Sequence, residues 1–177
     1  MIDKADPQMV HIKLVTGERL DMDETKPYAA AAILAMADMM KNLDREYICV
    51  VNLNQRNRPL NYSIASIGDI NHAISSPDSL FKTALLSNAS RIIMLHNHPS
   101  GETSPSPEDV QSTRKMNMAG QIMKVPLMDH VIIGGENGNL TSMRSYMPEI
   151  FTAPELNDDY YRAIAEKNME IWDQYGR

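Results

Sequence analysis

A single cysteine, Cys49, leaves no partner for an internal disulfide in this chain of 177 residues. It also excludes a four-cysteine zinc knot. Nucleobase deaminase chemistry is excluded with it, because that needs Pro-Cys-x-x-Cys ligands beside a His-x-Glu element. Cys49 lies in the apolar run Tyr47-Ile48-Cys49-Val50-Val51, where a free thiol is expected to be buried and inert. Long apolar runs are missing too, and none approaches the about 20 residues of a membrane span. Residues 1–25 alternate charged and apolar positions without the apolar centre of a secretion signal. The expectation is a reduced, cytoplasmic protein with no membrane partner. Basic charge is scarce: 17 Lys and Arg face 23 Asp and Glu, a net charge of -6. Nucleic-acid binders carry a basic surface, so nucleic acid is not the expected partner, although a local patch is not excluded. No repeat or low-complexity block is present.

What remains is an ordinary globular composition, 43% hydrophobic and 23% charged, long enough for one substantial core and one domain. Met9 to Val15 alternates as a strand would, and Thr16-Gly17-Glu18-Arg19 suits a turn back, so a strand pair is expected first. Pro27 punctuates, and Tyr28 to Leu43 reads as a helix whose methionines fill core. The Tyr47–Val51 run predicts a central strand covered on both faces. After a turn at Asn54–Asn57 comes a strand over Leu60–Ile67, then a helix from Pro77 to Ser87 with Ser76 as N-cap. A strand runs into His96, and a helix spans Pro107 to about Met123. Leu127–Ile133 reads as a strand closed by Gly134-Gly135. Asn137-Gly138 suits a hairpin leading into Leu140–Met143. Pro148 and Pro154 flank a loose connector, and Glu155–Tyr175 reads as an amphipathic helix carrying Trp172. Strands interleaved with helices predict an α/β sandwich with a mixed sheet.

The chemistry concentrates in Arg91–Asp109. His96 and His98, two apart at a strand's end, point to one side and can share a metal ion. A carboxylate from the next helix could be a third ligand, leaving the open fourth position of a catalytic zinc site. Asp109 has a rival reading, because Ser106-Pro107-Glu108-Asp109 outlines a capping box that starts a helix. A carboxylate on zinc and one committed to the cap amide are competing roles. The loop Pro99–Pro105 is rigid at both ends, which favours a preorganised site. Glu102, within it, is a substitute ligand of lower rank. Hydrolysis also needs a base, and Glu46 stands at the lip of the central strand. Spacing leaves Glu46 open between that role and a solvated helix-to-strand junction. His11, His72 and His130 read singly as ordinary capped or solvated side chains.

A glutamate early in the core followed by His-x-His-x7-Ser-x2-Asp resembles the JAMM signature of the JAB/MPN metallopeptidases. It is met by Glu46, His96, His98, Ser106 and Asp109. The string His96–Gly101, the Pro105-Ser106 pair and Leu127–Gly134 resemble the RadC branch, and the similarity covers roughly Leu43 to Ser145. The resemblance implies a JAB/MPN sandwich, akin to the cytidine deaminase fold, over residues 1–150, with a connector and helix over residues 151–177. It implies one zinc per chain on His96, His98 and Asp109, with Glu46 as general acid/base for the water and Ser106 steadying the oxyanion. Asp129 and His130 match the RadC pattern without a known chemical role, and His130 could contact a ligand. The expected activity is a zinc-dependent peptidase or isopeptidase with a protein or peptide substrate. The alternatives are a non-catalytic JAB/MPN interaction module and a RadC-type protein of DNA metabolism. Full-length RadC proteins carry a helix-hairpin-helix module for DNA contact that the residues before Tyr28 do not resemble. The C-terminal helix is expected to serve dimerisation or docking.

Overall fold

A computed structural model describes Met9 and residues 13–68, 76–135 and 138–152. Its centre is a mixed five-stranded sheet in the order β2-β1-β3-β4-β5. The strands are β1 (Tyr47–Leu53), β2 (Pro59–Ile67), β3 (Arg91–His98), β4 (Leu127–Gly134) and β5 (Leu140–Ser142). β1 pairs antiparallel with both β2 and β3, β3 pairs parallel with β4, and β5 closes antiparallel on β4. The helices are α1 (Tyr28–Met40), α2 (Pro77–Leu86), α3 (Pro107–Ile122) and α4 (Met143–Tyr146), with a 3-10 turn at Pro148–Phe151.

Strand alternation divides the core in two. Cys49, Val51, Ile93, Leu95, Val131 and Ile133 face α1 and its Ala32, Met36 and Met40. Ile48, Val50, Ile92, Met94 and Leu127 face the other way, onto Leu80, Phe81 and Ala84 of α2 and Met116 of α3. Every residue of β1 from Ile48 to Leu53 is buried, so the continuous apolar run is a central strand. Both layers rest mainly on hydrophobic burial, worth about 1.5–3 kcal/mol for each large aliphatic or aromatic side chain. Cys49 is buried, and desolvation pushes its thiol up to about 12. It is the inert thiol its apolar setting implies.

The α/β sandwich with a mixed sheet is the expected architecture, with local differences. α1 stops at Met40 rather than Leu43, because the Leu43 amide bonds Met40 one residue short of helical spacing and tightens the chain into a turn. Ser76 precedes α2 without a side-chain cap bond; its hydroxyl goes to Ser79 Oγ at 3.1 Å. Pro148–Phe151 is not loose. Ile150 is buried against Ile132 and Met143, and its carbonyl accepts from Asn117 Nδ2 at 2.8 Å. Met143 begins α4 rather than ending β5, and Ser142 caps that turn by accepting from the Ser145 amide. Most of the expected first strand lies outside the described residues, and its described end, 13–15, is not in a strand. No turn forms at Thr16–Arg19. His11, His72, Asn137 and the helix at Glu155–Tyr175 also lie outside the described residues. Among the described residues, no helix is long and apolar enough to cross a membrane.

Candidate metal centre

The end of β3 is where three elements meet. His96 and His98 share the side of β3 that carries Ile92 and Met94, so both imidazoles emerge on the α2/α3 side of the sheet. β1 runs antiparallel beside them with Ile48 opposite His96, and continuing that register two residues brings Glu46 opposite His98. Glu46, His96 and His98 each offer one ligand atom within 4.8 Å of the others. Asp109 enters from the first turn of α3. Its Oδ1 lies 3.3 Å from His96 Nδ1 and its Oδ2 lies 3.5 Å from His98 Nε2. Around them is a cleft of about 330 Å³ whose rim includes Ser100, Ser104, Ser106 and Ser112.

The competition between ligand and cap at Asp109 is divided between its two oxygens. Oδ2 accepts from the Ser106 amide at 2.8 Å and from its hydroxyl at 2.7 Å, while the Asp109 amide donates back to Ser106 Oγ at 3.1 Å. The capping box is complete. A carboxylate offers about four lone-pair sites, and Oδ1, turned to His96, takes no part in the cap. The helix start is therefore the device that delivers the carboxylate to the histidines.

Each imidazole is held differently. His98 Nδ1 lies 2.6 Å from the Glu102 carbonyl. A carbonyl can only accept, so Nδ1 carries the proton and Nε2 keeps a lone pair. That carbonyl is placed by a close loop. The Gly101 amide bonds the His98 carbonyl at 3.0 Å, and Gly101 takes φ +82. The loop lies so near β4 that a Cβ on Gly134 would stand 2.5 Å from Gly101 O. The Glu102 carboxylate is occupied by Ser104, at 2.9 Å to its amide and 2.8 Å to its hydroxyl. Glu102 serves the site through its carbonyl, which the ligand reading of its side chain did not foresee.

Charge follows the surroundings. Burial pushes His96 down to about 4, helped by its neighbour His98 and opposed by Asp109. Burial likewise pushes His130 down, to about 3. His98 is raised, mainly because its protonated ring can donate from Nε2 to Asp109, and against the pull of burial. Burial also opposes ionisation of Asp109, but the His98, His96 and Ser106 contacts outweigh it and hold the carboxyl well below its usual range. The set is therefore a neutral buried imidazole, a second more basic imidazole and an ionised carboxylate, with Glu46 beside them. Mixed nitrogen and oxygen donors of this kind suit zinc, whereas calcium and magnesium favour oxygen alone.

Three further residues emerge from the structure. Asn97 lies between the two histidines and is 1% exposed. Its Oδ1 accepts from the Tyr47 amide at 2.8 Å and its Nδ2 donates to the Arg45 carbonyl at 3.0 Å. It thus grips the residues on both sides of Glu46. A polar side chain closing an otherwise apolar strand was the available signal. Thr113, one turn after Asp109, bonds the Asp109 carbonyl at 2.6 Å and His130 Nδ1 at 2.7 Å. Asp129 is structural: it accepts from the His130 and Arg144 amides and from Ser142 Oγ, joining β4 to β5 and α4.

Comparison with known proteins agrees with this architecture. A UPF0758 protein of Desulfitobacterium hafniense is 45% identical over 95 residues, covering 54% of this chain and 42% of that protein. One from Thermosynechococcus vestitus is 39% identical over 132 residues, 75% of this chain and 50% of its own length. One from Moorella thermoacetica is 39% identical over 109 residues, with 62% and 47% covered. The chain spans about half the length of the curated relatives it matches. Residues 25–147, which hold α1, all five strands and every side chain of the centre, match the description "RadC-like JAB domain", and the protein belongs to that family.

Proposed function

We propose that this chain is a zinc-dependent metallohydrolase that cleaves an amide bond, as a peptidase or isopeptidase acting on a protein or peptide in the cytoplasm. The observation that carries the reading is the convergence of Glu46, His96 and His98 within 4.8 Å, with Asp109 against both imidazoles. His96, His98 and Asp109 would hold one zinc ion, leaving Glu46 for proton transfer. When bound, zinc supplies a Lewis acid that polarises the attacked carbonyl and acidifies the attacking water. The Glu46 carboxylate takes a proton from that water as oxygen bonds to carbon. It delivers the proton to the nitrogen as the C–N bond breaks. Ser106 Oγ now spends its proton on Asp109 Oδ2; turned toward the attacked carbonyl oxygen, the same hydroxyl stabilises the developing charge.

Metal analysis of protein purified without chelator should find about one zinc per chain, lost in His98→Ala, as three-ligand catalytic sites require. Glu46→Gln should keep the zinc and lower amide hydrolysis by roughly 100-fold or more, the usual weight of a general base. Absence of zinc, or undiminished hydrolysis by Glu46→Gln, sinks the reading. Zinc without cleavage of any peptide or ubiquitin-like fusion would favour a non-catalytic interaction module instead.

A further inference from the structure

The two histidines of the centre differ in what holds them, and the difference leads to His130. This residue lies on β4, opposite Met94 of β3, and is 1% exposed. Its two ring nitrogens have different partners: Nδ1 lies 2.7 Å from Thr113 Oγ1, and Nε2 lies 3.3 Å from His96 Nδ1.

The direction of each bond follows from counting protons. A threonine hydroxyl has one proton, and that of Thr113 is donated to the Asp109 carbonyl at 2.6 Å, a group that can only accept. The Thr113–His130 bond therefore takes its proton from His130 Nδ1. A neutral imidazole has one N–H, so His130 Nε2 is an acceptor. His96 Nδ1 then faces two acceptors, His130 Nε2 and Asp109 Oδ1, each at 3.3 Å. It must carry the proton. The His96 and His130 rings lie within 24° of coplanar with centroids 5.5 Å apart, as rings joined nitrogen to nitrogen along their edges do.

We propose that His130 is a positioning residue that fixes His96 as the Nδ1-protonated tautomer, through a chain anchored by Thr113 on the Asp109 carbonyl. The consequence is that His96 keeps its lone pair on Nε2, the nitrogen with which it would serve as a ligand. His98 reaches the same tautomer through the Glu102 carbonyl. Asp109 alone cannot do this work for His96 in the loaded site, because a carboxylate oxygen that engages a cation is a poorer acceptor. His130 is then the acceptor that remains. The chain also ties the ring to α3, the helix that carries Asp109, so ligands from strand and helix are placed together. The tautomer assignment stands on hydrogen bonds within the chain itself; its bearing on zinc rests on the metal-site reading.

The test has two independent readouts. Long-range proton–nitrogen NMR of the chelator-treated protein should show both His96 and His130 protonated on Nδ1. Finding either ring protonated on Nε2 overturns the proposal. Zinc affinity, measured by competition with a chelating dye, should fall roughly 10–100-fold in His130→Met, the usual loss when a partner of a metal-bound histidine is removed. His130→Gln, which keeps an acceptor, should stay close to wild type. Thr113→Val removes the anchor at nearly constant volume. It should release His130 from its single tautomer, and an unchanged spectrum with unchanged affinity also overturns the chain. If His130→Met does not fold, Thr113→Val and the wild-type spectrum decide. If the wild-type chain takes up no zinc, the metal-site reading falls and the spectrum decides the proposal alone.

Discussion

His96 and His98 are two residues apart on one strand, yet they occupy opposite kinds of environment. His96 is buried, neutral and held by side chains that run through His130 and Thr113 into α3. His98 is less enclosed, more basic and held by a main-chain carbonyl of the following loop. One imidazole is fixed by the packed core and the other by a turn. The sheet guarantees the direction of both rings, but separate devices fix their protons. Damage should therefore be separable: lesions in the core ought to reach His96, and lesions in the loop ought to reach His98.

Asn97 sits between them, and its removal should have the largest effect. Asn97→Ala leaves the Tyr47 amide and the Arg45 carbonyl without their partner. Stranding a buried polar group costs about 1–3 kcal/mol. Tyr47 is half-buried and Arg45 exposed, where water can replace part of the lost bonding, so the melting curve should report a loss of up to roughly 3 kcal/mol. Because those groups flank Glu46, hydrolysis should fall far more than zinc affinity in whatever fraction remains folded. Equal losses of the two would show that Asn97 supports the fold generally and does not aim Glu46.

Acid should distinguish the histidines next. The folded-state pKa of His96 is lowered to about 4 from an ordinary 6.5. Its contribution to stability is therefore fully present above about 6.5 and is lost as pH falls from there through about 4. At 1.36 kcal/mol per unit this amounts to about 3 kcal/mol. His98 has the opposite sign. Its pKa is raised, so its contribution is full below the ordinary value and is lost as pH rises through the raised one. An imidazole NMR titration of the metal-free protein should find His98 titrating above 6.5, with His96 silent until the fold begins to fail. A His96 signal titrating near 6.5 in folded protein would remove the contrast.

The same contrast explains which parts of the site the sequence could disclose. Ile92-Ile93-Met94-Leu95 ahead of His96-Asn97-His98 announces a buried strand, and two-residue periodicity puts both histidines on one side. Alternation also separates the residues facing α1 from those facing α2 and α3 on β1 and β3. β4 breaks it at its start, where Leu127 packs on the side opposite Val131 and Ile133 across a register shift with β3. Which strand lies beside which is a tertiary fact. Glu46 could be joined to the histidines only by resemblance, and the antiparallel register of β1 on β3 then supplies its physical reason. Asp109 was legible as a helix cap or as a ligand; the cap is formed through Oδ2, and Oδ1, turned to His96, takes no part in it. Asn97, Thr113 and the Glu102 carbonyl were missed because their roles depend on atoms far along the chain or on the main chain itself. The single turn α4 was missed for a different reason. Four residues carry too little periodicity to read, and Ser142 provides their cap.

Gly134→Ala should have the smallest effect of the three and sharpen the comparison most. Gly134 ends β4 beneath the Pro99–Pro105 loop, and an added Cβ would lie 2.5 Å from Gly101 O and 2.7 Å from Thr103 Cγ2. Real Cβ atoms do not tolerate such distances, and main-chain atoms cannot step aside as a flexible side-chain tip can. The loop must lift. Overpacking of this kind typically costs about 1–3 kcal/mol, and at a surface loop with room to move it should fall near the lower end. The local consequence matters more than the stability. Lifting the loop carries the Glu102 carbonyl away from His98 Nδ1, now 2.6 Å apart, and releases that ring from its single tautomer. His96 depends on His130 and Thr113, which do not touch the loop through this bond, so its tautomer should survive. Nitrogen NMR of the Gly134→Ala protein should therefore show His98 averaging between tautomers while His96 and His130 remain as in wild type. If both imidazoles loosen together, the two supports are one mechanical unit and the division between core-held and loop-held histidines is wrong.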